Sequence, residues 1–84
     1  MENVEVEEVD LAALVAGIRR DFGGEAPVGY LRGRTAIRDA VVRRLGCSAL
    51  EAEELVDTME SRGFLHYPGD ASARSYADLP WELG

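Results

Sequence analysis

The sequence predicts a small α+β domain in which three helices precede a pair of strands. Three observations predict it. Residues 34–63 hold two amphipathic segments of helical period, separated by the short link Gly46-Cys47-Ser48. Another helical rhythm occupies residues 10–22. Beyond residue 63 the pattern changes to short apolar runs broken by Pro-Gly-Asp, the punctuation of a hairpin. The 84 residues, 46% hydrophobic and 30% charged, suit one globular domain that buries about 60% of its unfolded surface.

Residues 1–9, MENVEVEEV, alternate apolar and acidic side chains. Like charges repel along such a run, so an acidic, disordered amino-terminal tail is expected, with residues 10–84 forming the single domain. A sharper reading has this arm shield the arginine-rich helix in cis or bind a basic partner.

Asp10 is placed to cap the first helix, whose Leu11, Leu14, Val15, Ile18 and Phe22 form one apolar stripe before Gly23-Gly24 ends it. Arg19 and Arg20 in its last turn complement the helix dipole. Gly17 inside it costs about 1 kcal/mol against alanine, which implies a close helix crossing there. Residues 25–32 read as extended, because Pro27 biases Ala26 away from helix. Val28, Tyr30 and Leu31 are expected to form a short strand.

Thr35 is the expected N-cap of the second helix, with Ile37, Ala40, Val41 and Leu45 facing inward and Gly46 as its stop. Ser48 and Glu51 have the spacing of a capping box at the start of the third helix. Ala52, Leu55, Val56 and Met59 form its stripe, Gly63 is suited to the left-handed position after its end, and Phe64 can fold back onto the last turn. FLHYPGD then reads as a strand entering a turn and SARSYA as the returning strand. Leu79, Trp81 and Leu83 are expected to pack across this pair and close the core. The alternative for Trp81 is an exposed aromatic anchor for a partner.

The three-residue link demands a steep crossing of the second and third helices. Val41 and Leu45 before Gly46, with Cys47, Ala52 and Leu55 after it, give the pair a hydrophobic spacing that resembles helix-turn-helix units. It departs at Val42, where such units usually carry a small alanine. With the order helix, strand, helix, helix, strand, strand, the chain resembles the winged-helix family over most of residues 10–77, with SARSYA completing a carboxy-terminal hairpin wing.

That resemblance implies a DNA-binding regulator whose third helix enters the major groove through Ser48, Ala49, Leu50, Glu53, Glu54 and Asp57. Three of these positions are acidic and none is basic, so this face repels phosphates instead of neutralising them. The wing adds Arg74 against Asp70. A basic face does exist on the preceding helix and its approach, at Arg32, Arg34, Arg38, Arg43 and Arg44, and suits at most a positioning contact with a phosphate backbone.

Net charge is −7 and every basic residue is arginine. Residues 33–46 carry four arginines against Asp39, and residues 47–62 carry five acids against Arg62. Oppositely charged faces favour a protein-interaction module over DNA binding. Glu51, Glu53, Glu54, Asp57 and Glu60 would receive a basic protein surface, or the arginine helix of a second copy in a homodimer.

Catalytic chemistry is thinly supplied. His66 has no neighbouring ligand, and Cys47 sits at an apolar turn position that suits a buried structural thiol. A minor reading has the following helix terminus lower the Cys47 pKa and make it redox-sensitive. The piece SALEAEELVDTME is superficially similar to a helix of acyl carrier proteins. Carriers need Asp-Ser-Leu where this chain has Cys47-Ser48-Ala49, so that reading stays remote. The sequence therefore predicts no enzyme, cofactor, metal or small-molecule site. One cysteine, no apolar run of about 18 residues and no basic amino-terminal leader point to a cytoplasmic protein without a membrane partner.

Overall fold

The computed structural model describes residues 9–68 and 79–84. The elements in chain order are α1 (Leu11–Asp21), α2 (Tyr30–Leu45), α3 (Ala49–Ser61), β1 (Leu65–His66) and β2 (Glu82–Leu83). This is a small α+β arrangement of three helices and a two-stranded antiparallel sheet.

Helix α1 starts where its cap predicts: the Asp10 carboxylate accepts from the Ala13 amide at 3.1 Å. It buries Leu11, Leu14, Val15, Gly17 and Ile18. Helix α2 starts earlier than its polar pattern suggests. Gly29 is its N-cap, at φ 88° and ψ 148°, a conformation that costs glycine little and other residues much. The chain therefore turns from extended backbone into helix within one residue. Tyr30 and Leu31 are helical instead of extended, and Thr35 lies inside the helix instead of capping it. Val28 alone keeps strand character, as an isolated antiparallel bridge to Pro80.

Gly46 ends α2 in the left-handed conformation at φ 65°. The capping box of α3 is complete: the Glu51 amide donates to Ser48 Oγ at 3.1 Å, and the Ser48 amide donates to Glu51 Oε1 at 2.9 Å. At the other end, Gly63 at φ 84° lets two amides turn back. Gly63 donates to the Glu60 carbonyl at 3.2 Å and Phe64 to that of Met59 at 2.8 Å, satisfying carbonyls the helix leaves open.

The strand pairing differs from expectation. β1 pairs with the last residues of the chain, Leu65 opposite Leu83 and His66 opposite Glu82. The SARSYA segment expected to pair with it, with Arg74 and Asp70, lies outside the described residues, as do the acids of residues 1–8. Residues 79–84 run between two neighbours. On one side Gly29 donates to the Leu79 carbonyl and Trp81 to that of Pro27, both at 2.9 Å; on the other Gly84 donates to that of Phe64 at 2.8 Å. Leu79, Trp81 and Leu83 face the core while Pro80 and Glu82 face out, so the period-two alternation that predicts packing also marks a strand. The core gathers Ile18, Ile37, Leu55, Met59, Leu65 and Trp81 from all these elements.

Arg34, near the start of α2, bonds Glu60, near the end of α3. Each residue lies about 18 Å along its helix from the connecting turn. That contact brings the ends of α2 and α3 remote from the turn within reach of one arginine and one glutamate. No helix among the described residues is long and apolar enough to cross a membrane.

Candidate functional site

Arg34 and Arg38 lie one turn apart on α2, and Glu53, Asp57 and Glu60 follow at the same kind of spacing on α3, so each set lines one flank. The structure brings the two flanks together. Arg34 donates one guanidinium nitrogen to Glu60 and another to Asp57, and stands 3.6 Å from Glu53. Arg38 donates to Glu53 at 3.3 Å and to Asp39 at 3.0 Å. Only 15% of the Arg34 side chain is exposed. Its desolvation disfavours the charge, but the hydrogen bond to Asp57 and the charges of Asp57 and Glu60 outweigh it and raise the pKa. Hydrogen bonds to Asp39 and Glu53 raise that of Arg38.

Arg44 is committed elsewhere. Its guanidinium donates to both Asp21 carboxylate oxygens, at 2.7 and 2.8 Å, and to the Gly17 carbonyl at 2.8 Å, tying α2 to α1. Arg44 holds the Asp21 carboxyl below the usual carboxylate range, chiefly by that hydrogen bond. The guanidinium lies against Gly17: a Cβ there would lie 2.5 Å from Arg44 Cζ and displace the end of that side chain. The crossing element is a side chain, not a helix backbone.

The two sequence-predicted faces are thus largely joined within one chain. Glu51 serves the capping box, and Arg32 is exposed on the first turn of α2. Arg43 and Glu54 are exposed and make no ion pair among the described residues. The outward stripe of α3 is Leu50, Glu54, Asp57 and Ser61, at i, i+4, i+7 and i+11. Leu50 is 71% exposed and the Asp57 side chain likewise 71%.

Trp81 is not an exposed anchor. It is 2% exposed, its Nε1 donates to the Gly29 carbonyl at 2.9 Å, and it packs with Tyr30 and Tyr67 at centroid distances of 5.7 and 5.3 Å. An indole with its N–H satisfied is stable inside a core. Cys47 is buried, and burial pushes its thiol pKa up, against the lowering expected from the helix terminus. No group of His, Cys, Asp and Glu among the described residues could hold a metal ion.

Sequence reasoning missed that Gly33 carries the indole of Trp81 and that Gly17 carries Arg44. Both glycines sit inside helices, where glycine is disfavoured, and that was the available signal. Comparison with protein-family models, curated proteins and solved structures finds no match.

Proposed function

We propose that this chain is a non-enzymatic, winged-helix-like module that works through protein–protein contact or self-association. Three helices, with a segment between α1 and α2 and two after α3 lying in the lateral order 27–29, 79–83, 64–66, support the winged-helix-like reading. The observation that carries the function is the outward stripe of α3. In a DNA-reading protein of this kind it would meet the major groove, yet it presents Leu50, Glu54 and Asp57 without a cation.

The basic helix does not compensate. Arg34 and Arg38 are drawn to carboxylates of the same chain and Arg44 to Asp21, so a phosphate backbone would have to compete for them. An apolar side chain within an acidic surface suits a protein partner better.

The test is an amide-resolved NMR titration at low salt with generic duplex DNA. No shift along residues 48–58 is expected. Salt-sensitive shifts there would instead establish the alternative, a DNA-binding regulator.

A further inference from the structure

The ends of α1 and α2 meet in a basic corner. Arg44, in the last turn of α2, grips both carboxylate oxygens of Asp21, the last residue of α1. That bridge brings two sequence neighbours with it, since Arg20 precedes Asp21 and Arg43 precedes Arg44. Both lie close enough to Asp21 for their charges to lower its pKa. Both are exposed, and neither makes an ion pair among the described residues. Three arginines against one aspartate leave the corner basic in a chain whose net charge is −7. Each helix end returns only about half a negative charge, so the corner stays positive.

The same chain carries an anion to match. Residues 1–8, outside the described residues, hold Glu2, Glu5, Glu7 and Glu8 and no base. They join the fold at Val9, and Val9, Asp10 and Arg44 line one groove. The tail therefore starts beside the residue that builds the corner. Eight residues reach at most about 28 Å, so its glutamates can span the corner from there. A segment tethered this closely meets its site at an effective concentration in the millimolar range, which suits weak, exposed charge pairs.

We propose that residues 1–8 lie across this corner in cis, with their glutamates against Arg20 and Arg43, and close it to other anions. This narrows the shielding that the sequence suggests. Arg34 and Arg38 already face carboxylates of α3, so the corner is where the tail finds unpaired cations. Any anionic partner of the corner must first displace the tail, and rising salt loosens the tail's hold. The contact goes beyond the proposed interaction at α3 and does not depend on it.

The test is NMR of the full chain carrying a nitroxide at Asn3→Cys, with the buried Cys47 spared the label. At about 20 mM salt the nitroxide should broaden the side-chain Nε–H signals of Arg20 and Arg43. At about 500 mM, where the screening length is about 4 Å, both signals should recover. Replacing Glu5→Gln, Glu7→Gln and Glu8→Gln together should abolish the broadening, with circular dichroism as the check on folding. No broadening at low salt would overturn the contact, as would broadening that survives the glutamine variant. Equal broadening at Arg62, past the end of α3, would show a tail without preference and overturn it too. Broadening of isotope-enriched, unlabelled chain by added labelled chain would place the tail on a second copy and overturn the contact in cis. None of these signals lies within residues 48–58, so the DNA titration judges the reading of α3 separately.

Discussion

The indole of Trp81 rests on Gly33 of α2. A Cβ at residue 33 would lie 2.5 Å from both Cδ1 and Nε1 of the ring, inside any permitted contact. The same Nε1 donates to the Gly29 carbonyl one turn earlier. The last strand therefore docks on a helix face from which the side chain has been deleted.

Gly33→Ala is expected to destabilise the protein by about 2 kcal/mol or more, although alanine is the better helix former by about 1 kcal/mol. The ring is buried and cannot swing aside while keeping its hydrogen bond. Urea unfolding followed by Trp81 fluorescence would measure it. A more stable variant would show that the ring has room to move.

Much of the helical framework was legible because its signals are local. Asp10, Ser48 with Glu51, Gly46 and Gly63 each act within one turn of the backbone they terminate, and each does what its spacing implies. The start of α2 was not legible, because Gly29 has no side chain to advertise a cap and Gly33 blanks one position of the apolar stripe. The partner of β1 was hidden for a different reason. Residues 79–83 alternate as a strand does, but their pairing is set by long-range contacts with 27–29 and 64–66. Likewise the charged residues were found, and their mutual engagement was not, since an arginine flank and an acidic flank read the same whether they meet within one chain or between two.

Arg34→Met should expose that engagement. It leaves Asp57 and Glu60 facing each other on α3 without their cation. Arg34 is mostly buried but its partners are partly solvated, so a loss of about 1–2 kcal/mol is expected, between the values for exposed and buried pairs. Wild-type stability should fall as salt rises toward about 1 M. The variant should lose most of that dependence, and an equal slope in both proteins would mean that the ion pairs contribute little.

Cys47 should be chemically quiet. It is 5% exposed, and burial raises its pKa above the ordinary thiol value, so the native chain offers little thiolate to an alkylating reagent. Iodoacetamide labelling followed by mass spectrometry should proceed only as fast as local or global unfolding admits it, and much faster in denaturant. Labelling at the rate of a free thiol peptide under native conditions would restore the redox-sensitive reading.

Asp21 gives the fold a pH dependence with a definite sign. Its ordinary pKa is 3.8, and Arg44 lowers it in the folded chain, first through the paired hydrogen bonds and then through charge, with Arg43 and Arg20 adding to the same effect. A carboxyl whose pKa falls on folding stabilises the native state above its unfolded value, and that contribution is lost as pH falls through the folded value. The contribution from this pair is therefore full at neutral pH and disappears below pH 3.8. Carboxyl NMR should place the Asp21 midpoint below 3.8 in the wild type and return it toward 3.8 in Arg44→Ala. Because the Arg44 guanidinium also holds the Gly17 carbonyl, Asp21→Asn should flatten the acid limb of the stability curve while leaving α1 attached to α2. An unchanged acid limb in that variant would locate the acid sensitivity in carboxylates other than Asp21.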